Sequence, residues 1–176
     1  RKTGMTDPDK GGWTYNYNAL GEPVSQVDAK GQTQNQYRDA LGRVYQRTET
    51  RASGGSFVSE PTSAWEYDTA VRSSDGTPIE GAIHIETNGI GGFTRTTSYD
   101  VIGRVTSVAT TVDGTTYTER QTYDQFGRPF QHFDPSTNAT SPNGELTQYS
   151  ADGYPILTRE AANGLTDQIY NEVLGL

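Results

Sequence analysis

Residues 98–108 read SYDVIGRVTSV, in which Tyr99, Asp100, Gly103 and Arg104 form the pattern Tyr-Asp-x-x-Gly-Arg. Asp at the first position of a four-residue turn and Gly at the fourth are preferred in type I turns. The glycine supplies the positive φ of a G1-type bulge, which closes a hairpin. The flanking residues alternate in polarity, as strands do. The stretch therefore predicts strand, turn and strand, with an ion pair between Asp100 and Arg104.

The same pattern recurs along the chain at irregular intervals, which indicates a tandem repeat. A catalytic group is needed once, whereas a turn is needed at every hairpin, so we interpret the pattern as structural. The predicted structural turn positions are Tyr99, Asp100, Gly103, Arg104, Tyr123, Asp124, Gly127, Arg128, Asp39, Gly42, Arg43, Tyr67 and Asp68. The seven motifs lie at 17–22, 38–43, 67–72, 99–104, 123–128, 149–154 and 171–176, and Val71 replaces the glycine in the third.

Strand-like alternation predominates between the motifs and helical patterning is nearly absent, which predicts an all-β fold of tandem antiparallel hairpins. Asp113-Gly114 predicts a tight turn, whereas the Gly-, Ser- and Pro-rich segments 51–64 and 73–82 predict surface loops. The predicted strands cover 13–17, 24–28, 32–38, 44–50, 79–87, 94–99, 104–110, 115–123, 128–133, 145–149, 155–159 and 165–170. The tyrosines, about one per repeat, are expected to stack on one another as an aromatic core.

The composition narrows the classes of function. The formal net charge of −8 argues against a nucleic-acid-binding face. Cysteine is absent, which excludes disulfides and thiolate chemistry, and no apolar run is long enough to span a bilayer. Leu, Ile, Val and Phe make up only about 16% of the chain, which suits sheets with a solvated face better than a compact globule.

Residues that could carry chemistry are better explained structurally. His84 and His132 lack partners at metal-ligand spacing, and no calcium-binding or nucleophile motif is present. Trp13 and Trp65 would bind sugars only if exposed. We therefore expect no catalytic residue, no cofactor and no metal. The carboxylates weighed for acid–base work are Asp7, Asp9, Asp68, Asp100, Asp124 and Asp134, of which three occupy repeated turn positions.

The recurring Tyr-Asp-x-x-Gly-Arg pattern with strands between its copies resembles the YD repeat of the Rhs family over nearly the whole chain. This family includes bacterial polymorphic toxins, subunits of insecticidal toxin complexes and teneurins. The resemblance implies a spiral β-sheet that forms a hollow shell around a C-terminal toxin domain. It also implies autoproteolytic release of that toxin at a core segment, for which this sequence shows no counterpart.

The resemblance thus predicts that 1–176 is one repeat array from a much larger protein. It would form part of the shell of a secreted or cell-surface bacterial toxin and would not be an enzyme. Its expected partners are the remaining repeats and the enclosed toxin, with no nucleic acid. The alternative is a cell-surface adhesion or carbohydrate-binding repeat module.

An isolated segment of such a sheet would expose two open strand edges, which can pair with another chain. We therefore predict that the isolated 176-residue chain self-associates through these edges. Light scattering coupled to size exclusion should show a mass that rises with concentration. A monodisperse monomer at high concentration would contradict the prediction.

Overall fold

The structure, a computed structural model, describes residues 1–59, 63–72, 76–88, 92–138, 140–141, 143–160 and 166–169. Across these residues the strands follow one another through turns and loops, and no α-helix occurs among them. The strand pairings are antiparallel and join neighbours in chain order, apart from one short side hairpin. The predicted all-β fold of antiparallel hairpins is confirmed.

The chain divides into two compact units, of which the first comprises 1–69 and 80–94. Its strands pair in sequence from β1 to β5; β5 then pairs with both β6 and β7, and β7 pairs with β8. The eight strands are β1 (Gly4–Asp7), β2 (Gly11–Tyr17), β3 (Pro23–Val27), β4 (Thr33–Arg38), β5 (Val44–Ser53), β6 (Ser56–Ser59), β7 (Ser63–Tyr67) and β8 (Ile83–Asn88).

The second unit comprises 70–79 and 95–176, and each of its strands lies beside the next in the chain. Before these strands, an antiparallel bridge joins Val71 to Pro78. The strands are β9 (Phe93–Tyr99, which begins in the first unit), β10 (Val105–Val112), β11 (Thr115–Tyr123), β12 (Pro129–Ser136), β13 (Gly144–Tyr149), β14 (Pro155–Glu160) and β15 (Thr166–Ile169).

In an antiparallel sheet, every second connection lies at the same end of the strands. In the first unit the turns 18–22 and 39–43 follow β2 and β4; in the second, the turns 100–104, 124–128 and 150–154 follow β9, β11 and β13. Within each unit, therefore, the repeated turns lie at one end of the strands. We call this end the YD end.

A β-bulge accompanies the repeated turns. In the β11–β12 pair, Thr122 faces Gln131 but Tyr123 faces Pro129, so Phe130 is an extra residue on its strand. The same one-residue shift occurs beside Tyr17, Arg38, Tyr67 and Tyr149. A bulge increases the local twist of the sheet and redirects side chains. The bulge thereby affects how the residue before each turn contacts the preceding hairpin.

The strands bury little. In β2, half-buried Trp13, Tyr15 and Tyr17 alternate with exposed positions. Among the described residues, Ala70 and Leu146 are the apolar side chains that are buried. Burial of apolar side chains therefore contributes less here than in a two-layer domain, and contacts between neighbouring hairpins matter more.

Several predicted segment assignments were wrong. The 51–64 loop contains the end of β5 and all of β6, because consecutive Gly54 and Gly55, both at positive φ, form a two-residue hairpin turn. The sequence patterns also missed β1 and β7. The strand predicted at 79–87 begins only at Ile83.

Two other predictions have different outcomes. The Asp113-Gly114 turn is confirmed, since Val112 pairs with Thr115 across it. The last motif, 171–176, lies outside the described residues.

Candidate functional site

The repeated turn is built around the aspartate carboxylate. At residues 100–104, Oδ1 of Asp100 accepts hydrogen bonds from the amides of Ile102 and Arg104 at 3.0 and 2.9 Å. Its Oδ2 accepts from Nε of Arg104 at 2.7 Å and lies 2.7 Å from Nη2. One side chain therefore closes the turn and also fixes the direction of the arginine that follows it.

The backbone of this turn explains its glycine. The Asp100 amide donates to the Arg104 carbonyl, and the Gly103 amide donates to the Asp100 carbonyl. Gly103 has a φ of +86°, a conformation that costs L side chains energy but not glycine.

The structure places the predicted turn residues of two further motifs in the same arrangement. The Asp124 carboxylate accepts from the amides of Phe126 and Arg128 and from the Arg128 guanidinium. The Asp39 carboxylate accepts in the same way from the amides of Leu41 and Arg43 and from the Arg43 guanidinium. The intervening glycines, Gly127 and Gly42, also have positive φ. The turns that begin at Asn18, Asp28 and Ser150 share the backbone hydrogen bonds but have Glu22, Gln32 and Tyr154 in place of the arginine.

These contacts change the acidity of the turn carboxylates. Partial burial raises the pKa of Asp100 and Asp124. The amide and guanidinium hydrogen bonds from Arg104 and Arg128 outweigh this effect and hold each pKa below its usual value. The pKa of Asp39 is lowered in the same way by Arg43. The three carboxylates are therefore ionised whenever their turns are formed at neutral pH.

Each arginine also reaches the next repeat. Cζ of Arg104 lies 4.1 Å from the ring centroid of Tyr123, and the corresponding distance from Arg128 to Tyr149 is 4.3 Å. Arg43 lies 4.5 Å from the ring centroid of Tyr67. A guanidinium over an aromatic face is a cation–π contact. These three tyrosines thus contact arginines of the preceding repeat, where stacking of tyrosine on tyrosine was predicted. One tyrosine pair, Tyr37 with Tyr45, lies within a single hairpin with its ring centroids 6.5 Å apart.

The tyrosine hydroxyl completes the link. The hydroxyl of Tyr123 donates to the carbonyl of Val105, the residue after Arg104, at 2.8 Å. Tyr67 and Tyr149 donate to the carbonyls of Val44 and Pro129 in the same relation. We call the combined Asp–Arg–Tyr contact the clasp. It joins a turn to the strand that precedes the next turn at the YD end.

The arginine also lies against the next turn, which gives the glycine there a second role. A Cβ added to Gly127 would stand 3.0 Å from Nη1 of Arg104. A side chain at this position would therefore meet both an unfavourable φ and the arginine of the previous repeat.

The motif at 67–72 departs from the predicted turn. Val71 stands where glycine is needed, and a β-branched residue does not adopt positive φ readily. Asp68 itself has a φ of +66°, and its amide donates to the carbonyl of Ala82, so a longer loop replaces the turn.

The Asp68 carboxylate nevertheless takes part in a clasp. It receives two hydrogen bonds from Arg43 and one from the Gly81 amide, which lower its pKa to about 2. Arg43 consequently binds the aspartates of two successive repeats, Asp39 and Asp68.

One participant in these contacts, Arg1, was not among the predicted turn positions. Arg1 occupies the space beside Gly21 and donates to the carbonyl of Leu20, while Tyr17 donates to the carbonyl of Lys2. Arg1 thus lies beside the turn glycine as Arg104 lies beside Gly127, and the Lys2 carbonyl accepts from the tyrosine hydroxyl as that of Val105 does. The signal that could have found them is a basic residue one strand upstream of a Tyr-(Asp/Asn) pair.

The other candidate residues lie apart from the clasps. His84 pairs with Thr69 and His132 with Glu119, while Asp7 caps its own turn. Within the described ranges, no three His, Asp or Glu side chains are grouped closely enough to hold a metal ion. Nor does that part of the chain contain a helix that could span a membrane.

No family model matches the sequence, and no curated protein matches it. Among solved structures, the chain is similar to TcdB2-TccC3 (16% identity, TM-score 0.36) and to TcdB2-TccC3-Cdc42 (17%, 0.37). It is also similar to a Tc holotoxin pore of Photorhabdus luminescens with a mutation in TccC3 (15%, 0.40). In all three, 97% of this chain is covered.

The chain spans only 11% to 12% of the length of those structures' chains. The chain resembles the Rhs and YD-repeat family in its motifs, and toxin-complex proteins are among the members of that family. With TM-scores below 0.5, the structural likenesses carry no argument about function.

The clasp predicts a specific pH dependence of stability. The pKa values of Asp39, Asp68, Asp100 and Asp124 are lower in the folded state, so the unfolded chain binds more protons in acid. Their contribution to stability is complete above the unfolded pKa of about 4 and is lost as the pH falls through the lower folded pKa of each group, which for Asp68 is about 2. Urea midpoints should be level from pH 7 to 5 and fall below pH 4.

The Asp68→Asn variant should be less stable at pH 7 and should lose less stability between pH 4 and 2. Asp113→Asn is the matched control, because Asp113 lies in a two-residue turn without a clasp, and it should keep the profile of the unsubstituted chain. An Asp68→Asn profile parallel to that of the unsubstituted chain would contradict the assignment.

Proposed function

We propose that this chain is a structural segment of a hollow β-shell that encloses the C-terminal toxin domain of a secreted bacterial toxin. The observation that carries the proposal is the clasp, which joins hairpin to hairpin at the YD end of the strands. A sheet held together by contacts between successive repeats can be extended by adding repeats and needs no second layer.

The exposed surface supports a wall more than a self-contained domain. The chain exposes 11429 Å². A globular protein of 19.2 kDa exposes roughly 8,400 Å². The excess fits a sheet whose two faces both meet solvent or other parts of a larger protein.

Both faces of the first unit carry polar rows, which suits a wall that must not adhere to its contents. By strand register, Asn16, Ser25, Asn35 and Thr48 form a row on one face. Gln26, Gln34 and Glu49 form a hydrogen-bonded row on the other. We infer that a polar, acidic inner face would hold an unfolded or partly folded cargo with little hydrophobic contact.

The tips of the repeated turns support association with further repeats. The residue before the turn glycine is apolar and 68% to 80% exposed in four turns, at Leu20, Leu41, Ile102 and Phe126. Turn tips ordinarily favour polar residues and glycine. We infer that neighbouring parts of the same array cover these side chains.

The carboxylates support a role without catalysis. Asp39, Asp100 and Asp124 are each bound by two amides and a guanidinium, which leaves them poorly placed to exchange protons with a substrate. We infer enclosure as the mechanism and a secreted or cell-surface location for the parent protein.

The alternative of a carbohydrate-binding module required exposed tryptophans. Trp13 and Trp65 are both half-buried, and Nε1 of Trp13 donates to the carbonyl of Lys10. No observation in the described residues favours the alternative over the shell.

The shell proposal predicts protection of a cargo. The reading frame around this segment should contain further Tyr-Asp-x-x-Gly-Arg copies followed by a C-terminal domain. In the intact parent protein, that domain should resist proteinase K, and it should be digested once urea has unfolded the repeats. The same domain expressed alone is the control and should be digested at once.

Two results would contradict the proposal. One is a gene without further repeats or a C-terminal domain. The other is digestion of that domain in the intact protein as fast as in isolation.

A further inference from the structure

Two positions meet wherever one repeat contacts the next. We call the residue directly after the turn glycine the arm, and the residue directly before the first residue of the turn the strand end. In three junctions the arm is arginine and the strand end is tyrosine: Arg43 with Tyr67, Arg104 with Tyr123, and Arg128 with Tyr149. The junction between the first two motifs is different, because its arm is Glu22 and its strand end is Arg38.

Glu22 takes the place of an arm in space as well as in sequence. Its Oε1 lies 2.8 Å from where a Cβ of Gly42 would stand. Nη1 of Arg104 lies 3.0 Å from the corresponding position at Gly127. The carboxylate and the guanidinium therefore reach equivalent points of the next turn.

Arg38 brings the opposite charge to that turn. Its Nη1 donates to the carbonyl of Gly42 at 2.7 Å, and its Nη2 donates to Gln36. Its Nε is buried without a hydrogen-bond partner. The Glu22 carboxylate accepts from Asn18 through its other oxygen. Glu22 and Arg38 thus converge on Gly42 with opposite charges, and the side chains that bind them, Asn18 and Gln36, are neutral.

Pairing the arm of one kind of junction with the strand end of the other would be unfavourable in both combinations. An arginine arm against Arg38 would place two guanidinium groups beside one glycine. A glutamate arm over a tyrosine strand end would place a carboxylate against the electron-rich face of the ring, which attracts cations instead. Each arm therefore discriminates between the two kinds of strand end.

We propose that Glu22 and Arg38 determine which hairpin follows which in the array. The hairpins are similar to one another, and repeats of this kind are prone to incorrect pairing and exchange between chains. The junction with a Glu22 arm favours the hairpin that ends in Arg38 as its neighbour over hairpins that end in tyrosine. The inference depends on the clasp geometry and not on the proposed enclosure of a toxin.

The test is a double-mutant cycle on the 176-residue chain with Glu22→Arg, Arg38→Tyr and the combined variant. Urea unfolding and the fraction of exchanged dimers by size exclusion with light scattering are the two measurements. Each single variant should raise the unfolding constant about fivefold or more, since about 1 kcal/mol corresponds to that factor. Each should also increase the dimer fraction. The combined variant creates an arginine arm over a tyrosine strand end, as in the other junctions, and should recover most of both losses.

Glu22→Gln is the matched control, because it removes the charge without bringing two guanidinium groups together. It should cost less than Glu22→Arg, and the difference should shrink in about 1 M salt, where the Debye length is about 3 Å. If Glu22→Arg does not fold, folding of the combined variant supports the proposal and its failure to fold contradicts it. Additive effects of the two substitutions, or equal effects of Glu22→Arg and Glu22→Gln, would overturn the proposal.

Discussion

The hydrogen bonds between the turn aspartate and the arginine four residues later are the contacts on which the repeat depends. The same carboxylate binds two amides of its turn and the guanidinium, so turn closure and arginine orientation are one event. Held in this direction, Arg104 lies over Tyr123 and against Gly127 of the next repeat. A local turn interaction thereby becomes a contact between neighbouring hairpins.

This arrangement compensates for a sparse core. In the part of the chain that the structure describes, few apolar side chains are buried, and both faces of the first unit carry polar rows. Charge-assisted hydrogen bonds and cation–π contacts between repeats provide stabilisation that does not require a second layer. They also impose complementarity, since an arm must suit the strand end that it meets. The two unusual junctions show the same complementarity: Arg43 binds both Asp39 and Asp68, and Glu22 and Arg38 both lie beside Gly42.

The sequence was sufficient to predict the hairpins, because turn chemistry is local. Asp100, Gly103 and Arg104 lie within five residues, and their roles follow from side-chain hydrogen bonding and positive φ. Contacts between repeats could not be predicted in this way. The separation between Arg104 and Tyr123 differs from that between Arg43 and Tyr67, because the intervening loops vary, so no fixed spacing identifies the pairs. For the same reason Arg1 was missed, and the tyrosines were expected to contact one another.

Local patterns also failed where a long-range contact replaced the usual turn. The Tyr67-Asp68 pair looks like the start of an ordinary motif, yet Val71 cannot take the glycine conformation and Asp68 binds Gly81 across a longer loop. The β5–β6 hairpin was missed because its Gly- and Ser-rich composition is shared by loops and by two-residue turns.

The central claim is that Arg104 and Tyr123 stabilise the protein together, across the boundary between two repeats. A double-mutant cycle tests it directly, with Arg104→Met to remove the guanidinium and Tyr123→Leu to remove the ring and hydroxyl. The clasp predicts a coupling energy of about 0.5 to 2 kcal/mol in urea unfolding, with the double variant less destabilised than the sum of the singles. Arg104→Met combined with Tyr149→Leu, from a different junction, should be additive. Additivity in the Arg104–Tyr123 cycle itself would contradict the clasp.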